Sequence, residues 1–428
     1  MSEGIDIALL PMNDTIRLII DPEVHMSIKT IHNDIFCIDI QHPEREMFDC
    51  LMPTEHGTTY NSFLVRGSEK TALIDTADPE FTGRFMEILE ESEIDAPDYV
   101  VILHTEQDHS GSLPAILNRY PNVRLAATLE VVKLVSTHLR IPKERFEIFG
   151  EGEELDLGGH SLRFMKIPFA HWPDNTMLFD QSSGVLFSSD LFGSHYSSDR
   201  IFATDSHDIK GAARAYFAEI MMPFSTQVRK YTERVAGLAP TMIASAHGPI
   251  WNDPSIILEK YLKWTSDKVD KTVVIPYVSM HGSCGIIAER LCMRLARHDI
   301  SVLTRDLGAR PESLSIETGH VMYDLVTAAA LIFVSPTVLG GPHPAVAYCA
   351  MLTNALRPQT ALIGLLGSYG WGTRIAETMD GLTSGFNKAE RIDPLLFEGL
   401  PRAEDLEMID QYADTLAGKI MGLGERLL

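Results

Sequence analysis

The sequence predicts two unlike halves: an α+β layered half, residues 1–268, followed by an α/β half with a doubly wound parallel sheet, residues 269–428. Three observations predict this. The chain has 428 residues, and at about 150 residues per domain that is two or three domains. Its first half is a run of short apolar strands separated by turns, with helical patterns between only some of them. Its second half repeats strand, helix, strand over about 150 residues, the signature of a parallel sheet covered on both faces.

In the first half the strand patterns fall at residues 34–40, 62–67, 70–77, 99–105, 161–170 and 185–190, and the helical periodicity at 129–139 and 212–238. A helix-like segment over 258–270 ends in the charged run KWTSDKVDK, where the domain boundary is placed. Beyond it, residues 273–280 form a continuous apolar strand, 279–285 a small-residue loop and 286–297 a helix. Buried strands follow at 301–304, 330–334 and 361–366. The longest uncharged stretch, 325–356, is interrupted by Ser335-Pro336-Thr337 and by Gly340-Gly341-Pro342-His343-Pro344. It therefore reads as strand, loop and helix, and a membrane span is not expected.

Charge and cysteine content narrow the function classes. Lys and Arg number 36 against 59 Asp and Glu, a net charge of −23, which repels phosphate backbones and argues against nucleic acid as a partner. Cys37, Cys50, Cys284, Cys292 and Cys349 are odd in number and form no C-x-x-C pair. Neither a disulfide framework nor a four-thiolate metal site is expected, the cysteines read as small buried apolar residues, and a reducing cytoplasmic setting follows. The first residues, MSEGIDIALLPMND, lack the basic start of a signal peptide.

The segment VILHTEQDHSGSL places His104, Glu106, Asp108 and His109 just past an apolar strand. In an extended end the first three share a side, and His109 turns with the loop. His171 follows the strand at 161–170, Asp190 ends VLFSSD, and His247 ends TMIASAH. A lone histidine of this kind is commonly a satisfied core residue. Seven ligand-type residues at strand exits, four imidazoles and three carboxylates, instead point to metal binding. Mixed imidazole and carboxylate donors suit iron.

This H-x-E-x-D-H pattern, with a distant His, an Asp nineteen residues later and a final His, resembles the diiron variant of the metallo-β-lactamase fold found in flavodiiron proteins. The strings HWPDN, DLFG and AHGPIW match that family too. The resemblance covers essentially the whole chain and implies an αββα sandwich followed by a flavodoxin-like domain. Zinc hydrolases of the fold usually carry histidine where Glu106 stands. The resemblance implies that one iron takes His104, Glu106 and His171, that the other takes Asp108, His109 and His247, and that Asp190 bridges them. Some members leave the residue equivalent to His109 off the metal.

A second constellation suits a flavin. In YVSMHGSCGIIA, small residues join a strand to a helix start, where backbone N–H groups and the helix dipole suit a phosphate. The loop Ser279, Met280, His281, Gly282, Ser283 and Cys284 resembles the flavodoxin phosphate loop, with Cys284 in place of its usual threonine. Ser335, Pro336 and Thr337 follow the strand ALIFV; Ser368, Tyr369, Gly370, Trp371 and Gly372 follow ALIGLL. Both loops stand where a doubly wound sheet places its ligand, and the two aromatics suit an isoalloxazine ring. FMN is preferred to FAD, because one phosphate loop is visible and no adenosine site is.

The resemblance implies a relay from FMN to a diiron centre that reduces dioxygen to water, nitric oxide to nitrous oxide, or both. It also implies a head-to-tail homodimer, possibly a homotetramer. The chain ends at residue 428 without a rubredoxin module, so the expected donor is external: a rubredoxin, a nicotinamide-linked reductase or a reduced deazaflavin coenzyme. The alternative is a metallo-β-lactamase-fold hydrolase fused to a flavin-binding regulatory domain, which Glu106 disfavours. His195 and Tyr196, in FGSHYSS, read as a surface loop with a supporting role as the other choice.

Overall fold

The computed structural model describes residues 27–91, 96–310 and 314–428; the N-terminal stretch without a leader pattern lies outside these. Strands β1 (Ser27–His32) and β2 (Ile35–His42) lead into a small hairpin, β3 (Met47–Phe48) and β4 (Met52–Pro53). Then come β5 (Thr58–Arg66), β6 (Thr71–Ile74), β7 (Tyr99–Val101), β8 (Arg124–Ala127) and β9 (Phe146–Ile148). Apart from the hairpin they form one sheet in the order β1-β2-β5-β6-β7-β8-β9. It is antiparallel from β1 to β6 and parallel from β6 to β9. The parallel part needs crossovers, and helices α1 (Thr82–Glu91), α2 (Gln107–Ser110), α3 (Leu113–Arg119) and α4 (Leu129–His138) supply them.

Strands β10 (Glu154–Asp156), β11 (Ser161–Lys166), β12 (Thr176–Asp180), β13 (Val185–Ser189) and β14 (Met242–Ser245) make a second sheet in sequence order, with β13 and β14 parallel. Alternation decides its faces. Leu162, Phe164, Val185 and Phe187 pack against Ile35, Phe63, Ile74 and Val101 of the first sheet. Met165, Leu186 and Ile243 turn to the opposite face, toward α6 (Ser225–Leu238) and α7 (Pro254–Trp264). The outer face of the first sheet packs Ile38, Leu64, Leu73 and Val100 on Phe85, Ile116, Val131 and Val135. Two sheets between helical layers result.

The helix expected over 212–238 is broken. Helix α5 (His207–Tyr216) passes into a five-residue π-helical turn, Phe217–Met221, then a 3-10 turn, Met222–Phe224, before α6 begins. Pro223 has no N–H to donate, and its ring clashes with the preceding turn, so an unbroken helix cannot form.

The third sheet begins with β15 (Asp270–Tyr277) and continues through β16 (Ser301–Asp306), β17 (Ala328–Val338), β18 (Gly341–Pro342), β19 (Leu362–Tyr369), β20 (Glu390–Arg391) and β21 (Leu395–Glu398). Its central order, β16-β15-β17-β19-β20, is parallel throughout and is the flavodoxin-type order. Helices α8 (Ser283–Ala296), α9 (Leu314–Leu325), α10 (Pro344–Leu356), α11 (Ile375–Leu382) and α12 (Ala403–Met421) cover it. The first nine residues of β17 are all buried, which explains the unbroken apolar run there. The two halves share a core: Tyr216, Phe217 and Trp264 belong to one cluster with Val274, Val321 and Phe333. Across it, Arg214 Nε donates to Tyr323 O and Nη2 to Thr327 Oγ1, each at 3.0 Å. Among the described residues no helix is long and apolar enough to cross a membrane.

Candidate functional site

The ends of β7, β13 and β14, with the loop after β11, meet at one edge of the sandwich. His104 lies three residues past β7, but the chain does not stay extended as expected. The N–H groups of His109 and Ser110 both donate to Glu106 O at 3.0 Å, closing the single turn α2. That turn carries Asp108 and His109 away from Glu106. Two groups result: His104, Glu106 and His171, and Asp108, His109 and His247, with the ligand atoms in each within 4.8 Å of one another. His104 Nε2 and His171 Nε2 lie 3.2 and 3.1 Å from Glu106 Oε2, and His247 Nε2 lies 3.1 Å from Asp108 Oδ2.

Asp190 stands between the groups. Its Oδ2 is 3.6 Å from His104 Nε2 and 3.8 Å from His171 Nε2; its Oδ1 is 3.0 Å from His109 Nε2 and 3.5 Å from His247 Nε2. Each carboxylate oxygen faces a different group. The Oδ1 of Asp108 is buried without a hydrogen-bond partner. Seven converging imidazole and carboxylate donors, one of them unsatisfied, fit a pair of metal ions. The side chains of Glu106 and His171 are 16% and 19% exposed while the other five are nearly sealed, so the mouth lies on their side.

The other ring nitrogens are held from behind. His104 Nδ1 lies 3.3 Å from Asp174 Oδ2, His109 Nδ1 3.1 Å from Asp75 Oδ2, and His247 Nδ1 2.7 Å from Thr59 O. Such partners fix ring orientation and raise donor basicity. Asp75 takes a left-handed backbone, φ 55°, and its Oδ1 also accepts from Leu103 N at 2.7 Å. Sequence reasoning missed Asp75, Thr59 and Tyr216, whose hydroxyl donates to Asp190 Oδ1 at 3.2 Å. It also missed Asp174, though the string HWPDN contains it.

Burial works against every charge here, yet the neighbours prevail. Asp190 is held well below the usual carboxylate range because His109 and His104 outweigh its desolvation. Hydrogen bonds to His104 and His171 likewise lower Glu106 against its burial. Against the opposing effect of burial, Asp190, Asp174 and Glu106 raise His104 to about 10, and Asp108 and Asp190 raise His247 to about 9. Without metal, His104, His109 and His247 hold protons where ions would sit.

His195 is not on the surface: it is 7% exposed, its ring stacks on Phe48 at 4.4 Å, and it meets His247 edge-on at 5.4 Å. Ser194 N donates to His247 O at 3.1 Å and folds the segment inward. Tyr196 is half-buried beside His56. Cys37, Cys284 and Cys349 are buried as expected, whereas Cys50 is exposed and Cys292 half-buried.

The flavin candidates gather at the carboxyl ends of β15, β17 and β19. Gly282, at φ 94°, precedes α8 and has no side chain to cap it, leaving the N–H groups of Ser283 and Cys284 for an anion. Ser279 Oγ accepts from Gly285 N at 2.9 Å, and Ser283 Oγ and Ser368 Oγ are 2.8 Å apart. Cys284 is buried beneath the loop with Sγ 3.6 Å from Ser368 Oγ, so its backbone rather than its thiol faces outward. Ser335 Oγ accepts from His343 N at 2.9 Å, and Thr337 bonds Thr373 at 2.9 Å. Cβ atoms built on Gly282, Gly370 and Gly372 would meet nothing within 4 Å, and Trp371 and Met280 are 98% and 50% exposed. Beside His281, Pro336 and Tyr369 this open rim fits a flat aromatic cofactor with one phosphate.

Fold and site define a class: a metallo-β-lactamase-type sandwich with a carboxylate-rich dinuclear pocket, joined to a flavodoxin-type sheet. Residues 58–248 match the ODP family beta lactamase. The anaerobic nitric oxide reductase flavorubredoxin of Salmonella paratyphi A is 31% identical over 374 residues, 85% of this chain and 76% of that protein. Its counterpart in Vibrio vulnificus is 31% identical over 322 residues, 74% of this chain but only 64% of the relative's length. The rubredoxin oxygen:oxidoreductase of Desulfovibrio gigas is 27% identical with a TM-score of 0.87, covering 92% of this chain and 99% of that one. The Giardia intestinalis flavodiiron protein, 23% identical with a TM-score of 0.86 over 93% and 98% of the two chains, shares the fold. The chain belongs to the flavodiiron protein family.

Proposed function

We propose that this chain is a flavodiiron reductase that converts dioxygen to water, nitric oxide to nitrous oxide, or both. Residues 1–268 would form the metal-binding part and 269–428 the FMN-binding part. The observation that carries the reading is Asp190, a single buried carboxylate with one oxygen toward each of two three-residue groups. That arrangement suits two metals sharing a bridge, and Glu106 supplies the hard oxygen donor that favours iron. The relatives named as nitric oxide reductase and as oxygen oxidoreductase support the substrate class.

His104, Glu106 and His171 would hold one iron and Asp108, His109 and His247 the other. The loops at Ser279–Cys284, 335–337 and 368–372 would hold FMN, the phosphate lying on the start of α8. When bound, the flavin accepts electrons in pairs and passes them singly, and the iron pair stores them where a diatomic gas binds. The chain's own part is orientation and exclusion. Asp174, Asp75 and Thr59 O fix the imidazoles. Phe48 packs on the rings of His195 and His247 and helps hold them in place. A rubredoxin, a nicotinamide-linked reductase or a reduced deazaflavin coenzyme would supply electrons from outside, and a head-to-tail dimer would place one chain's flavin near the other's irons.

Metal and flavin analysis of the purified protein, followed by anaerobic assays of dioxygen and nitric oxide uptake with each donor class, tests the reading. Two irons and one FMN per chain with uptake of either gas are expected. Zinc in place of iron, with hydrolytic activity and no gas uptake, would overturn it.

A further inference from the structure

The inference rests on the reading just given, because reduction of either gas takes up one proton for every electron, and those protons must reach a buried pocket. A cavity of about 280 Å3 lies between the two halves. Its walls come from α5 and the π-helical turn on one side, and from Glu55 and α9 on the other. Its inner end is made by His195 and Tyr216.

That inner end touches the metal site. The Tyr216 hydroxyl donates to Asp190 Oδ1. His195 Nδ1 lies 2.9 Å from Thr58 Oγ1, while its Nε2 is buried with no partner. The volume accommodates several waters.

The outer end carries an acid with no structural duty. Glu219 sits on the π-helical turn, a distortion that recurs at functional sites. Among the described residues no cation pairs with it. Burial and the neighbouring Glu55 push its carboxyl up to about 8. The charged groups on the facing walls are otherwise engaged: His320 Nε2 lies 2.6 Å from Glu55 Oε1 and its Nδ1 3.6 Å from Glu317, and Arg305 pairs with Asp324 at 2.8 Å. His56, His207, Asp208 and Tyr323 complete the titratable lining.

We propose that this cavity between the halves is the proton inlet of the iron site and that Glu219 loads it. The neutral carboxyl gives its proton to a cavity water. Hydrogen-bonded water passes the charge inward to the end framed by His195 and Tyr216, and the carboxylate recovers a proton from bulk solvent at the mouth near Glu55 and His320. Glu219 acts through water, so it is a positioning and relay residue and touches no reacting atom.

The test uses the full chain loaded with iron and FMN, as wild type, Glu219→Gln, Glu219→Asp and Gly211→Leu. A Cβ on Gly211 meets only the Tyr323 hydroxyl, at 3.9 Å, so leucine there enters the cavity and not the packed wall. Infrared spectra, with or without metal, should contain a protonated carboxyl band that titrates near pH 8 in the wild type and is missing in Glu219→Gln. At neutral pH, kcat for gas uptake should fall at least about tenfold in Glu219→Gln and in Gly211→Leu. KM for the gas, iron content and flavin content should stay as in the wild type, and Glu219→Asp should recover part of the rate. Wild-type kcat and pH profile in both Glu219→Gln and Gly211→Leu would overturn the inlet alone. A fully loaded wild type that takes up neither gas would overturn the reductase reading and the inlet with it.

Discussion

Replacing Asp174 by asparagine separates orientation of a metal ligand from stability of the loop that carries it. The side chain is fully buried, and its Oδ2 accepts from Thr105 N at 2.8 Å and Thr105 Oγ1 at 2.6 Å while facing His104 Nδ1 at 3.3 Å. An amide oxygen in the same place keeps all three contacts but without charge. Hydrogen bonds to charged groups contribute about 1.5–3 kcal/mol against about 1 for neutral ones, so roughly 2 kcal/mol is lost over the set. The new NH2 falls where Asp174 Oδ1 has no partner, and a buried unsatisfied donor costs about 1–3 kcal/mol more. Metal-free Asp174→Asn should therefore unfold about 3–5 kcal/mol more easily in denaturant. Metal affinity at the His104, Glu106 and His171 group should drop roughly tenfold to a hundredfold. Part of that drop is offset, because Asp174 is also one of the carboxylates that hold the competing proton on His104. Anaerobic titration of the metal-free protein with ferrous or cobalt ions, set beside the denaturation curves, measures both effects. Two metals bound with wild-type affinity in a variant that has lost the full stability would refute the orienting role and leave Asp174 a strut.

Proton-linked binding gives a second prediction. Because the metal-free cluster keeps His247 protonated to about pH 9 and His104 to about pH 10, each metal must displace protons, and affinity should rise as pH is raised from 7 toward 9, by up to about a decade per unit for each proton released. Dye-detected proton release during zinc or cobalt titration checks it, and flat affinity over that range would refute it. Gly248→Ala should cost one metal: the backbone there is left-handed, φ 75°, and a Cβ would lie 2.0 Å from Ser194 Oγ and 2.6 Å from Ser194 O, so His247 must shift. Metal content near one ion per chain, with FMN retained, is the expected analysis. Ser279→Ala removes the acceptor for Gly285 N and should weaken FMN binding by about 1 kcal/mol, several-fold in Kd by fluorescence titration, while metal content stays unchanged.

The candidate ligands were legible because their types are rare at that density and because strand ends are visible as apolar runs. The sequence could not show how they divide. An extended reading puts His104, Glu106 and Asp108 on one side, whereas the turn closed on Glu106 O sends Asp108 to the other group. Asp75 and Asp174 look like ordinary loop aspartates until the fold brings them behind His109 and His104, over separations of 34 and 70 residues. Three-residue strands such as β7 and β9 are too short to show a period, which hid the parallel β–α alternation of the first sheet. In the third sheet, β17 and β19 are long enough to read directly, though Ser335, Pro336, Thr337, Ser368 and Tyr369, read as loop residues after them, fall within the ends of the strands themselves. The inter-domain cavity had no sequence signal, since its walls are contributed by segments as distant as Glu55, Glu219 and His320.

Charge balance explains why such a cluster can fold before any metal arrives. Five carboxylates, Glu106, Asp108, Asp190, Asp75 and Asp174, converge on four imidazoles, and uncompensated burial of that many anions would be costly. Protonated His104, His109 and His247 neutralise most of it in the metal-free state, as their raised proton affinities require. Two divalent ions then bring four positive charges in place of the three imidazolium protons, which leaves the five carboxylates one charge short of neutral. Histidine at position 106 would remove one anion from the set and leave the occupied pocket more positive by a full charge. Glutamate there keeps the balance and leaves room for an extra positive charge on the metals, which a redox site needs and a zinc hydrolase does not.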